Sequence, residues 1–328
     1  GDKVTGALGM DLYNGELIQF EAKATILGTG GFQPYTLKSS NTDSTGDGQA
    51  MAYRAGAKLA DMEFILFMVT AIEPKEYRGS ILPALCTFRA VFDYDAVDAS
   101  GKLIDIPKKV REMESVSEMA KVLDMYYYGK VLNEGRGTKN DGFYFDFHRF
   151  TDEEIDRMFD AVMEHFEGFY PHGYYHGESI INYRDYIKKH RRIEVGFGGE
   201  YSVGGIYIDE NMMTGVPGLY AAGEVGCGAF GANRVADAVV EMIVQGYKAG
   251  EVAAQRSAGE VLVEAEKASV AKAIGTLEKI LSNKGGITVK QAKERLQSIS
   301  DATLKLLRNE QTLAKGVSDY EALKEEMD

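Results

Sequence analysis

Four short runs in this sequence carry residue types that could do chemistry: Gly28-Thr29-Gly30-Gly31, Thr45-Gly46-Asp47-Gly48, Gly223-Glu224 and Gly231-Ala232-Asn233-Arg234. Glycine has no Cβ, so its backbone can close on a pyrophosphate that other residues would hold away. Arg234 ends the last run, and its planar guanidinium can grip a carboxylate, sulfate or phosphate bidentately. Its plainer role is to tie a loop to a sheet. Asp47 stands where a helix cap would accept from free backbone N–H groups. Glu224 closes an apolar strand, where a surface carboxylate is the plain reading. Taken alone, Gly28 to Gly31 says little, because a buried strand followed by a glycine turn is common.

The elements that must position these runs follow from the pattern around them. Val4 to Asp11 and Leu17 to Ile26 read as two strands joined by an Asn14-Gly15 hairpin turn, the second leading into Gly28. Gln49 to Gly56 is a short helix, capped by Asp47. Gly204 to Ile208 and Leu219 to Glu224 are strands, and Asn233 to Gly250 is an apolar-periodic helix that follows the last glycine loop. Between these early and late pieces lies a stretch rich in Tyr, Phe and charge. Within it Thr151 to Gly168 holds seven acidic residues and one Arg, so Glu153, Glu154, Asp156 and Asp160 form a solvated helix face. After Gln255 the chain reads as helices. The expected division is 1–74 and 196–254 for one discontinuous lobe, 75–195 for an inserted lobe and 255–328 for a helical domain.

Charge and composition remove several function classes. The 37 basic and 50 acidic residues leave a net charge of −13, the wrong sign for a groove that neutralises phosphates of nucleic acid. No apolar run approaches the roughly 20 residues of a spanning helix. No secretory leader is visible, and the two cysteines, Cys86 and Cys227, rule out a disulfide framework or a four-cysteine cluster. A reducing, cytoplasmic location is expected, peripheral to a membrane complex at most. His148, His165, His172, His176 and His190 stand at no metal-binding spacing, so no metal is expected. Tyr126 to Tyr128 read as packing, Met10, Met51, Met62 and Met68 as core filler, and Cys227 as a small buried thiol.

Ala24 to Gly31, Thr45 to Gly48, Met51-Ala52, Ala55-Gly56-Ala57 and Asp61-Met62-Glu63-Phe64 resemble the flavoprotein subunit of the fumarate reductase and succinate dehydrogenase family. So do Gly204-Gly205-Ile206, Gly218 to Glu224, Gly231 to Arg234 and the run Gln291 to Leu323, all in the family's order. The resemblance implies an α/β fold: a discontinuous FAD-binding lobe with an inserted α+β capping domain and a C-terminal helical domain. It implies FAD held by Gly30, Gly31, Asp47, Glu224, Val239 and Val240, with Arg234 anchoring a small anionic substrate. A helix starting near Asn233 would aim its dipole at the negative edge of reduced flavin, worth ~1 kcal/mol. An iron–sulfur electron-transfer subunit is the implied partner.

Departures from the family pattern carry their own implications. The strand with Gly-x-Gly-x-x-Gly that opens the family's dinucleotide-binding domain has no counterpart here, which implies a fragment or completion by another chain. Where relatives that reduce fumarate carry histidines, this sequence has Met68, Glu200 and Phe230, and their proton-donating Arg falls near Tyr126. Losing a general acid costs roughly 10²–10⁴-fold in rate. Fumarate is therefore not assigned as the substrate, although Arg111 or Lys121 would replace the donor under another alignment of the cap. Asn182-Tyr183-Arg184, Ile193 to Phe197 and Gly205 to Asn211 resemble adenylylsulfate reductase α-type subunits, an alternative branch. A second alternative is a non-catalytic scaffold that keeps the fold without the chemistry.

Overall fold

The computed structural model describes residues 2–35, 44–79, 94–113, 118–169, 178–228, 238–282 and 285–327. In chain order the elements are β1 (Gly6–Met10), β2 (Leu17–Glu21), β3 (Thr25–Leu27), α1 (Asp47–Arg54), β4 (Leu59–Ala60), β5 (Ile65–Glu73), β6 (Asp95–Val97), α2 (Lys108–Arg111), α3 (Glu118–Asn133) and β7 (Phe143–Asp146). There follow α4 (Asp152–Phe169), α5 (Glu178–His190), β8 (Arg192–Ser202), β9 (Gly205–Ile206), β10 (Leu219–Ala221), α6 (Ala238–Ala258), α7 (Lys267–Ser282), α8 (Val289–Thr303) and α9 (Glu310–Met327).

The first lobe starts with the expected hairpin. β1 pairs antiparallel with β2, and Gly15 turns at φ 75°, with the Asn14 side chain accepting from the Glu16 N–H at 2.8 Å. The expected second strand, Leu17 to Ile26, is in fact two. The hairpin ends where Ala22 N–H reaches the Thr5 carbonyl, and β3 then pairs parallel with β10, Thr25 opposite Leu219. The reason is burial: β2 is exposed along its whole length, whereas β10 is buried and needs a neighbour for its backbone groups. The Gly204–Ile208 strand is likewise shorter than expected, with only Gly205–Ile206 pairing, against β4. Ala52, Ala57, Ile206, Leu219, Ala221 and Val225 form this lobe's core.

The inserted lobe is built on an antiparallel sheet in the order β5-β8-β7-β6. Along and just beyond β7, Phe143, Phe145 and Phe147 alternate inward and are fully buried, as strand geometry demands. Tyr128 of α3 stacks on Phe143 with 4.7 Å between ring centroids, and Ile155, Phe159 and Ile187 of α4 and α5 join the same core. β8 crosses the expected boundary at 195/196, while β5, which pairs with it, ends at Glu73 just before the one at 74/75, so two strands carry one lobe into the other. The acidic face of α4 is more engaged than a solvated face would be. Asp156 and Asp160 pair with Lys188 and Arg184 of α5 at 2.8 and 2.7 Å, and Glu154 accepts from the Thr151 N–H.

The C-terminal helices make a unit of their own. Thr288 and Gln291 form a reciprocal capping box at the start of α8. Gly316 of α9 lies so close to Thr303 that a Cβ there would sit 2.7 Å from its hydroxyl. This unit touches both lobes. Tyr35 donates to the Leu304 carbonyl at 2.9 Å, Arg308 donates to the Glu63 carbonyl at 2.9 Å, and Lys305 pairs with Asp141 at 2.9 Å. Among the described residues no helix is long and apolar enough to cross a membrane.

Candidate functional site

The two ends of the parallel pair β3 and β10 define the site, as the C-terminal edges of parallel strands do in α/β folds. From β3 the chain enters Gly28 to Gly31, and Gly30 adopts φ 74°, which a side chain would strain. From β10 it enters a short 3-10 turn, Gly223–Val225, which carries Glu224. The two meet at Gly31. A Cβ on Gly31 would lie 2.0 Å from Ser202 Oγ and 2.2 Å from Glu224 Oε1, so only glycine fits.

Glu224 is held through one oxygen. Its Oε1 accepts from the Ser202 N–H at 2.8 Å, from Ser202 Oγ at 3.2 Å and from Gln33 Nε2 at 3.1 Å. Its Oε2 makes no hydrogen bond among the described residues. Gln33 Nε2 also reaches the Glu200 carbonyl at 2.9 Å, while Gln49 Nε2 reaches the Gly30 carbonyl at 3.2 Å. Both amides point their nitrogens into the protein frame, and Gln33 Oε1 and Gln49 Oε1 are buried with no partner among the described residues.

α1 backs the glycine loop closely. A Cβ on Gly48 would lie 1.8 Å from Thr29 Oγ1 and 2.8 Å from Val225 Cγ2. Asp47 is not the cap: Gly46 holds the N-cap position at φ 78° with no side-chain bond, and the exposed Asp47 accepts from Thr45 Oγ1. Its charge in the first turn still complements the helix dipole. α6 steadies the other side, where Gln245 Oε1 accepts from the Gly223 N–H at 2.8 Å and Gln245 Nε2 binds Glu241 at 2.9 Å.

Of the residues expected at the site, Gly30, Gly31 and Glu224 come together, with Asp47 one residue from the Gly48 contact. Val239 and Val240, in the first turn of α6, are each 65% exposed. Arg234, with Phe230 and Gly231 to Asn233, lies outside the described residues, as do Cys86, His172, His176 and the side chains of Lys121 and His165. Cys227 is half-buried rather than buried, and Met10 and Met51 are exposed rather than core. Arg111 spends its Nε on the Ile106 carbonyl, and Arg184 is committed to α4. Gln33, Gln49, Ser202 and Gln245 were not singled out in the sequence. Gln49, a polar residue that the helix pattern carries into a buried position, was the one detectable signal.

A family model described as "FAD binding domain" matches residues 1–238. The chain belongs to this FAD-binding family. The fumarate reductase flavoprotein subunit of Haemophilus influenzae is 26% identical over 337 residues, 98% of this chain and 53% of that protein. The Mycobacterium smegmatis Sdh1 complex in the apo form is 26% identical, with TM-score 0.77, covering 99% of this chain and 51% of that one. Adenylylsulfate reductase from Archaeoglobus fulgidus shares the fold at TM-score 0.65 and 19% identity, over 99% of this chain and 58% of that one. The chain spans about half the length of the curated relatives it matches. The fold is the α/β arrangement expected, and FAD is the cofactor of the family.

The residues present fit that cofactor. Gln33 Oε1 and Gln49 Oε1 are two buried acceptors lacking donors among the described residues, beside a cradle that a Cβ would fill. The hydroxyls of a ribityl chain and the flavin N3–H are donors of the kind they require.

Proposed function

We propose that this chain is the flavin-reactive part of an FAD-dependent oxidoreductase of the fumarate reductase and succinate dehydrogenase type. It acts on a small anionic substrate, and its electron partner is an iron–sulfur protein of the same complex. FAD, when bound, supplies two-electron transfer to or from the substrate. The observation that carries the reading is the Gly31–Ser202–Glu224–Gln33 cluster, where the buried Gln33 Oε1, with Gln49 Oε1 close by in the chain, lacks a donor among the described residues and calls for a donor-rich ligand.

In this reading Gly30 and Gly31 let the backbone approach the cofactor, and Glu224 binds it through Oε2 while Ser202 and Gln33 fix the carboxylate. Gln49 and Gln245 hold the two turns in register, and the acid at Asp47 favours α1 as the backing helix. Val239 and Val240 flank the ring from the first turn of α6. Arg234 orients the substrate by a bidentate grip. β5 and β8 join the cap, with its fully buried phenylalanines, to the strand end at Ser202 that holds Glu224.

The substrate is proposed as an oxyanion other than fumarate, since Met68, Glu200 and Phe230 replace the family's histidines. An adenylylsulfate reductase-like role is less well supported, because Tyr183 and Arg184 already serve the packing of α5 on α4. The test is a visible spectrum of the chain with added FAD, then dithionite. A bound, reducible flavin with turnover of one anion from a panel, lost in Arg234→Ala, supports the reading. No flavin signal at saturating FAD leaves a fragment or a scaffold.

A further inference from the structure

The inserted lobe is joined to the first by a narrow ribbon. β7 pairs with β8 only as far as Val195, and from Gly196 to Ser202 the neighbour of β8 is β5 alone among the described residues. Within that stretch the register slips between Leu66 and Phe67. Two-stranded ribbons twist strongly and an irregularity bends them further, so the ribbon alone does not fix the angle of what it carries. Its foot is Ser202, whose N–H and hydroxyl bind Glu224. A second connection between the lobes runs beside the ribbon, through the turn from α8 to α9.

The two ends of that turn hold the first lobe. The Leu304 carbonyl accepts from Tyr35 at 2.9 Å, and Arg308 donates to the Glu63 carbonyl at 2.9 Å. Its middle holds the cap. Lys305 pairs with Asp141 at 2.9 Å, and the Leu307 carbonyl accepts from Asn133 at 3.1 Å. Leu306 and Leu307 close on Gly129, where a Cβ would lie 3.2 Å from Leu307 Cγ. Tyr35, Gly129 and Leu307 line a cavity of about 30 Å³ together with Phe67 and Phe197 of the ribbon. The turn thus sits against the part of the ribbon that would bend. Its two sides are unequal. Tyr35 is 4% exposed, whereas the Lys305 and Asp141 side chains are 30% and 36% exposed. An exposed ion pair is weak and yields to salt.

We propose that residues 304–308 are a clasp that sets the angle of the cap on the first lobe, fixed on the Tyr35 side and releasable on the Lys305 side. The ribbon gives one line of attachment and the clasp a second beside it, and two such lines fix an angle where one does not. Released at Lys305 and Asn133, the cap keeps its own core, with Phe143, Phe145, Phe147 and Ile155 buried, and turns on the ribbon as a unit. Every contact of the clasp lies within the chain, so its test needs no FAD and is independent of the flavin reading.

The test is the distance between spin labels on unnatural residues replacing Tyr53 of α1 and Lys108 of α2, both well exposed, read by double electron–electron resonance on the full chain. Wild type at low salt should give a single narrow distribution. Lys305→Glu sets a second negative charge against Asp141 and should add a new distance. Gly129→Val, which pushes on Leu307, should do the same. Wild type at about 1 M salt, where the screening length is about 3 Å, should shift toward that new distance. This arm needs no clasp variant, so it holds if a substitution prevents folding. Lys3→Glu breaks an exposed pair elsewhere, with Glu260, and should leave the distribution unchanged. Amide exchange distinguishes turning from unfolding, because a cap that turns as a unit keeps Phe143 to Phe147 protected. The clasp is overturned by a distribution that neither variant nor salt alters, or by a wild type already broad at low salt. An equal response to Lys3→Glu, or lost protection across Phe143 to Phe147 alongside the new distance, overturns it as well.

Discussion

At the scale of single residues, the site is governed by what a glycine leaves out. Gly31→Ala would drive a methyl group to 2.0 Å from Ser202 Oγ and 2.2 Å from Glu224, both fixed by their own hydrogen bonds. Overpacking of this kind costs ~1–3 kcal/mol, and here the least costly escape is to break the Ser202–Glu224 contact. Chemical denaturation should show that loss. Asp98 illustrates a second residue-scale effect away from the site. Burial works to raise its pKa, but hydrogen bonds from the side chains of Ser100 and Arg136 and the N–H groups of Lys102 and Ser100 outweigh it and hold it at about 2. A carboxyl depressed in the folded state adds stability above its unfolded pKa of about 3.9, and that contribution disappears as pH falls toward about 2. Denaturation midpoints measured across that window should therefore fall with pH, and the slope should flatten in Asp98→Asn.

At the scale of elements, the helices and turns with local signals were the readable ones. The Asn14-Gly15 turn, the glycine loop after β3 and the helix behind Gly46 are each written within a few neighbouring residues, and each stands where the pattern placed it. What escaped the sequence is what joins distant segments. Gln33 and Glu224 are 191 positions apart and Phe32 and Ser202 are 170 apart, so no window of sequence could pair them. The same distance hid the switch of the second strand from β1 to β10, because the partner that draws Thr25 to Leu27 away lies almost two hundred residues on. Two substitutions separate scaffold from site at this scale. Thr288→Ala removes the capping box of α8 and should cost ~1 kcal/mol in thermal stability while leaving FAD affinity unchanged. Gln245→Ala frees the Gly223 N–H and should weaken FAD binding with a comparably small loss of stability, of the order of 1 kcal/mol, read by parallel flavin titration and melting.

At the scale of the whole molecule, the first lobe and the cap are both tied to the C-terminal helices. The link from α8 to α9 reaches the first lobe through Tyr35 and Glu63 and the cap through Asp141 and Asn133. One helical unit thus connects the loop after β3, two residues past Gln33, with the sheet of the cap. A flavin site and a structural polar knot are the two roles open to the cluster around Glu224, and flavin binding separates them. The most direct measurement is an FAD titration of the chain beside Glu224→Ala, followed by flavin absorbance and dithionite reduction. The wild type should bind a reducible flavin, and the variant should bind at least about tenfold more weakly, as the loss of a charged hydrogen bond of ~1.5–3 kcal/mol requires. Equal affinity in the two proteins, or no bound flavin in the wild type at saturation, would contradict it.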